Sequence, residues 1–241
     1  MIRIDGRSLD QLRPVKITTG FSKFAEGSCL IEMGNTMVLC NASVEEKVPP
    51  HVKEGGWITA EYSMLPRANR ERTRRDISNL KLSGRSAEIQ RLIGRSLRSA
   101  VDLKALGMRT ITIDCDVLQG DGGTRTASVT GGFIALVLAL QKLVRDGLLE
   151  RLPVSTYVSG ISAGIVGGTP MLDLCYAEDS RADVDLNCVM TAEGGIIELQ
   201  ATGEGRPFTH EEQVALLKLC EEGCKALCAL QKQYLKLQVE A

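Results

Sequence analysis

Polar and apolar positions alternate most cleanly between 110 and 117. Ile111, Ile113, Cys115 and Val117 fall on one side, and Thr110, Thr112, Asp114 and Asp116 on the other. A period of two predicts a strand with one buried face. The pattern breaks at Gly120, Gly122 and Gly123, then resumes as an apolar run over 133–140 with no polar face. Such a run predicts a helix at the centre of a domain, ending at Asp146-Gly147. Upstream, 29–33 and 36–43 flank Gly34-Asn35 and predict a β-hairpin with a two-residue turn, and 57–62 predicts a further strand. Between them and the alternating strand, Ile89, Ile93, Leu97 and Ala100 share one helical face opposite Arg91, Arg95 and Arg98. Ser86 reads as the cap of this helix, which puts Arg85 just outside its N-terminus.

The second half repeats this grammar. A hairpin over 158–165 and 169–176 turns at Gly167-Gly168. Strands over 182–190 and 195–201 follow, and a closing helix is capped by Thr209 with Glu212 completing a capping box. Its apolar stripe is expected to take Leu217, Cys220, Cys224, Leu227 and Tyr234. The fold class expected is α+β, a strand-rich α/β unit used twice, divided into 1–146 and 147–241 at the stretch closed by Pro153.

Three stretches carry candidate chemistry. The strand, the glycine turn and the start of the central helix make an anion site. The first N–H groups of a helix have no internal acceptors, the helix dipole favours negative charge there, and glycine lets a phosphate come close. Gly123, Thr124 and Arg125 stand at that position, and Arg125 adds a planar cationic fork. No Gly-Lys-Ser/Thr follows, so the loop is not a Walker motif, and it also reads as an ordinary tight turn with a surface arginine. The second stretch, 66–76, carries Arg67, Arg70, Arg72, Arg74 and Arg75 with Ala68 as its single apolar side chain. It reads either as a solvated loop or as a basic arm for a polyanion, and arginine in place of lysine leans toward phosphate. The third is the acidic run 178–187. In a strand, Asp183, Asp185 and Asn187 point one way, with Asp179 in the loop before them. Such carboxylates suit Mg²⁺, a general-acid role, or a solvated strand edge.

Composition narrows the field. A net charge of −1 excludes a generally basic nucleic-acid binder, so any RNA contact must be a local patch. The start of the chain shows no leader-like apolar segment, and no apolar run reads as long enough to span a membrane. A cytoplasmic protein with no membrane partner is therefore expected. The eight cysteines include no CxxC pair, and their setting in apolar segments and along the last helix predicts reduced core thiols. The two histidines and the scattered serines offer no hydrolytic triad.

Several segments together resemble the bacterial ribonuclease PH family. They are DGR…QLRP, GNT…NASVE, GWITAEYSMLPR, SGR with EIQRLIGRSLR, IDCDV with DGGTRTAS, and LDL with EDS and VDLN. The resemblance implies a phosphate-dependent 3′-exoribonuclease that trims the 3′ ends of tRNA precursors. Inorganic phosphate would attack the terminal phosphodiester and release nucleoside diphosphates, and the reverse reaction would add nucleotides. It implies phosphate binding at Arg85, Gly123, Thr124 and Arg125, and catalysis at Asp179 and Asp185 with Mg²⁺ there. It further implies a homo-hexameric ring built as a trimer of dimers, in which the basic stretch is expected to contact the RNA backbone through Arg67, Arg72, Arg74 and Arg75. Two departures from the family pattern are a shortened stretch at 51–56 and Gly120 in place of alanine. A non-catalytic RNA-binding ring subunit and a two-metal hydrolytic nuclease are the competing expectations.

Overall fold

The protein is described by a computed structural model covering residues 3–75, 78 and 81–235. The first sheet holds β1 (Val15–Thr19), β2 (Gly27–Met33), β3 (Thr36–Glu45), β4 (Trp57–Met64) and β5 (Thr110–Gln119), in the order β1-β2-β3-β5-β4. Only the β4–β5 pairing is parallel, because α1 (Gly84–Arg98) carries the chain back across the sheet between them. The predicted hairpin is β2–β3, closing on Gly34-Asn35 with Met33 opposite Thr36. The second sheet is antiparallel, ordered β7 (Thr169–Leu172), β6 (Val158–Val166), β8 (Val184–Thr191) and β9 (Ile196–Gly203).

The central helix α2 (Thr124–Arg145) packs against β2 and β3 on one side and β6 on the other, so apolar side chains on every face are buried. Its approach to β2 is close enough that a Cβ on Gly27 would lie 2.0 Å from the Ala135 carbonyl oxygen. The helix is long and apolar enough to cross a membrane by composition, contrary to the sequence expectation. Its apolar surface is instead covered by the two sheets, since the core of an α+β protein and a bilayer ask for the same residues.

Other expectations shift by a residue or a turn. The α1 cap is Ser83, not Ser86: Ser83 is extended (φ −65°, ψ 148°) and its hydroxyl accepts from the Ser86 N–H at 3.0 Å. Arg85 therefore lies inside the first turn rather than before it. The strand expected over 169–176 stops at Leu172. Asp173 adopts φ +52°, and Tyr176–Asp179 forms a single helical turn, α3. Cys175, just before that turn, is half-buried and not in a strand, while the other seven cysteines are buried and all eight are free thiols. The closing helix α4 (His210–Leu235) carries the expected capping box, Glu212 accepting from the Thr209 N–H at 2.9 Å and Thr209 Oγ1 from the Glu212 N–H at 3.3 Å. Its buried stripe runs through Leu216, Cys220, Cys224, Leu227 and Leu235, while Leu217 is half-buried and Tyr234 exposed.

Candidate active site

The glycine turn after β5 is held from behind. Arg13, 4 % exposed, forms a bidentate pair with the fully buried Asp173, Nη2 to Oδ1 at 2.7 Å and Nε to Oδ2 at 3.1 Å. Its Nη1 also donates to the Asp121 carbonyl at 2.6 Å, while Thr36 Oγ1 donates to the Gly122 carbonyl at 2.7 Å. In a trans peptide the N–H points opposite the C=O, so these bonds turn the Gly122 and Gly123 amides away from Arg13. Gly122 (φ +80°) has no space for a side chain, because a Cβ would lie 2.5 Å from the Leu174 carbonyl. Gly123 (φ +64°) is the N-cap of α2 with no side-chain cap, and among the described residues no protein acceptor meets the amides of Gly122 to Thr126. A left-handed glycine followed by free helix amides is a cradle for an anion.

This cradle opens into a cavity of about 440 Å³ lined by Arg85, Gly122, Gly123, Thr124, Arg125, Asp179, Asp185 and Asn187, with Met64, Asn69, Ser162 and Tyr176 completing it. Five elements or their connections thus bring the expected phosphate-site residues and the acidic pair to one place. The Thr124 hydroxyl is not free to cap: it pairs with the Tyr62 hydroxyl at 2.9 Å. Arg125 is steered from the second sheet, donating from Nη1 to Gln200 Oε1 at 2.7 Å, with Glu88 Oε1 at 3.8 Å. Gln200 in turn donates to Glu88, so α1 and β9 together fix the fork. Arg85 is exposed and has no ion pair among the described residues, which leaves its guanidinium available to a ligand.

Of the acidic trio expected on one face, only Asp185 and Asn187 reach the cavity. Asp183 precedes β8, and its backbone carbonyl accepts from Glu204 and Gly205 instead. Asp179, at the end of α3, has its carboxyl raised by burial, partly offset by Arg125, Arg85 and Arg13. Asp185 is pushed up to about 6, first by burial and then by the charge of Asp179, against Arg125 and a 2.9 Å bond from Asn187 Nδ2. Two half-buried carboxylates, the charge of Asp179 raising Asp185, beside a carboxamide form an oxygen-donor set suited to a hard cation. Among the described residues no three His, Cys, Asp or Glu converge as a closed cage. An open pair that leaves ligand positions to water and substrate is the usual Mg²⁺ arrangement, so the residues present fit that ion.

The arginine loop is exposed at Arg67, Arg70, Arg72, Arg74 and Arg75, and its members face different ways. Arg74 lines a recess of about 170 Å³ shared with Arg85, Asn69 and Tyr62, beside the main cavity. Arg75 instead lines a groove of about 580 Å³ on the sheet with Glu61, Asp114 and Asp116, where its charge partly offsets the burial that raises Asp116. The sequence pattern gives no site role to Arg13, Asp173, Ser162, Tyr176, Gln200 or Glu88. Arg13 and Asp173 lie 160 positions apart, and no local pattern marks such a pair.

One mixed and one antiparallel sheet around a buried helix, with a cradle of free amides facing an acidic pair, define an α+β protein with a cleft suited to an anion. The description "3′ exoribonuclease family, domain 1" matches residues 11–140 and "3′ exoribonuclease family, domain 2" matches residues 156–223. The chain belongs to the 3′ exoribonuclease family, with both of its domains. Among solved structures it is similar to rice (Oryza sativa) Rrp46, at 20 % identity and a TM-score of 0.76 over 99 % of this chain and 100 % of that one. It is also similar to a chain of the Archaeoglobus fulgidus exosome with RNA bound to the active site, at 25 % identity and a TM-score of 0.79 over 93 % and 91 % of the two chains. An archaeal exosome core chain matches at 24 % identity and a TM-score of 0.74, over 96 % and 90 %.

Proposed function

We propose that this protein is a phosphate-dependent 3′-to-5′ exoribonuclease that trims the 3′ ends of tRNA precursors, releases nucleoside 5′-diphosphates and runs in reverse as a nucleotidyltransferase. The observation that carries the reading is the convergence of the free α2 amides, Arg125 and Arg85 on the same cavity as Asp179 and Asp185. A hydrolytic nuclease needs a water site at its metals. It has no use for an anion cradle beside them that is open to a free ion.

In this reading inorganic phosphate rests on the amides of Gly123 and Thr124, with Arg125 at its side. Arg85 neutralises the phosphodiester that it attacks. A phosphate oxygen forms a bond to the terminal phosphorus while the bond to the preceding 3′-oxygen breaks, and in-line placement of the two is the main catalytic contribution. The leaving 3′-oxygen needs a proton or a compensating charge. Asp185, with its carboxyl near 6, holds a proton for part of the time close to neutral pH and can give it to that oxygen. Asp179 and Asp185 are also the residues that would hold Mg²⁺, which when bound supplies Lewis-acid neutralisation of the same developing charge.

The RNA body follows the exposed arginines, Arg67, Arg72 and Arg74 foremost, through backbone contacts that read no sequence. The archaeal relative solved with RNA at its active site supports RNA as the substrate class. Assembly as a homo-hexameric ring would bring several arginine loops to one substrate. Digestion of a 3′-tailed RNA with and without phosphate tests the reading: shortening that requires phosphate supports it, and equal shortening in phosphate-free buffer overturns it.

A further inference from the structure

Ser162, on β6, is 4 % exposed and its hydroxyl has no hydrogen-bond partner among the described residues. A buried hydroxyl in that state costs folding free energy, so its placement asks for a reason. The residue lines the cavity of about 440 Å³ beside the cradle, and its oxygen lies 3.8 Å from where a Cβ on Gly123 would sit. It also stands opposite Asn187 in the β6–β8 register. Its backbone is fixed, because the Ser162 carbonyl accepts from the Asp173 N–H at 2.7 Å, and Asp173 is the carboxylate that holds Arg13 behind the loop. The strand position that carries the hydroxyl is thus tied to the Arg13–Asp173 support, and Ser162 borders the cavity beside Gly123.

We infer that Ser162 is a further phosphate-binding residue, its Oγ–H donating to an oxygen of the inorganic phosphate held at Gly123 and Thr124. This rests on the phosphorolytic reading above and adds a ligand to it. The Arg13 guanidinium and the loop amides nearby are donors, and the Thr126 hydroxyl beside them already donates to the Gly123 carbonyl, so an anion's oxygens suit this end of the cavity. A phosphoryl oxygen could come from inorganic phosphate or from the RNA backbone. Depth favours the free ion: Ser162 lies at the buried floor, whereas the cations suited to a polymer, Arg85 and Arg74, are exposed at the mouth.

The experiment compares the full-length wild-type protein with Ser162→Ala and Ser162→Thr. Three quantities are read: calorimetric titration with inorganic phosphate in the absence of RNA, the separate KM values for phosphate and RNA, and the melting temperature. Ser162→Ala is expected to weaken phosphate binding and raise the phosphate KM by roughly ten- to a hundredfold, the range of one hydrogen bond to a charged group. The RNA KM should stay unchanged. Melting should be unchanged or higher, because alanine removes an unsatisfied polar atom. Ser162→Thr retains the hydroxyl and should recover most of the phosphate affinity. Phosphate affinity within twofold of wild type in Ser162→Ala overturns the assignment, as does a rise in the RNA KM alone. A lowered melting temperature with no recovery in Ser162→Thr also overturns it and returns the side chain to packing. If the wild-type protein itself binds no phosphate, the phosphorolytic reading falls together with this one. If wild type binds phosphate and the alanine variant does so equally, only the serine's role falls.

Discussion

Replacing Asp185 by asparagine should stabilise the protein while removing most of its turnover. The Asp185 carboxyl rises from 3.8 to about 6, chiefly through burial and secondly through Asp179. A folded-state value above the unfolded one means that the folded chain binds more protons than the unfolded chain between these limits. The charged carboxylate is thus a burden on the fold at neutral pH, and the burden is relieved as pH falls through 6. Two units at about 1.4 kcal/mol each put this burden at about 2–3 kcal/mol. Asparagine keeps the acceptor for Asn187 Nδ2 and offers its own N–H₂ to Asp179. The gain should therefore appear in full at pH 7.5 and shrink toward zero near pH 4. For a chain of this length that corresponds to a melting shift of about 5–10 °C. Chemical or thermal unfolding in EDTA, at fixed protein concentration and at both pH values, measures it. A variant less stable at pH 7.5, or a gain that does not change with pH, would refute the electrostatic account of the pair. Unchanged turnover across a Mg²⁺ titration would remove Asp185 from the chemistry.

Arg125→Lys should keep the charge but lose the planar fork steered by Gln200 and Glu88, costing about 2–3 kcal/mol of transition-state stabilisation, read as a drop in kcat/KM for phosphate. Near-normal turnover in a folded Arg125→Lys protein would count against its place on the phosphate. Arg13→Met leaves the buried Asp173 with only the longer Arg7 pair at 3.6 Å and should destabilise the fold by about 3 kcal/mol in urea titrations; a loss under 1 kcal/mol would show that the loop is held by other means. Replacing Arg67, Arg72 and Arg74 together with alanine should flatten the salt dependence of precursor-tRNA binding by about 2 in log–log slope, at about 0.7 per single-strand contact. Short oligonucleotides should still be degraded by that triple variant, and equal loss on both substrates would assign the loop to folding or to the active site. Arg75 is left out of the set because it lines the separate groove with Glu61, Asp114 and Asp116.

Local periodicity carried the strands and the central helix. The alternation at Ile111, Ile113, Cys115 and Val117 is the buried face of β5, and the Thr209–Glu212 box stands where its spacing placed it. Errors arose where two residues satisfied one rule. Ser83 and Ser86 are both suited to cap a helix three positions apart, and the adjacent Leu216 and Leu217 both suit an apolar stripe, so only packing decides between them. The glycine loop is legible as a tight turn with free helix amides, because those follow from backbone type alone. What holds it was not: Arg13, Asp173 and the Arg125–Gln200–Glu88 set are contacts between distant segments. Ser162 lies among small residues that read as the interior of a strand, and its significance lies in a missing partner, which only three-dimensional placement reveals.

The most direct test of the central claim follows the oxygen atoms. With inorganic phosphate labelled in all its oxygens by ¹⁸O and RNA of ordinary isotopic composition, the released mononucleotide is examined by mass spectrometry. The account predicts a nucleoside diphosphate whose terminal phosphoryl group and bridging oxygen carry the whole label, formed only when phosphate is present. An unlabelled nucleoside monophosphate, released at the same rate with or without phosphate, would contradict it.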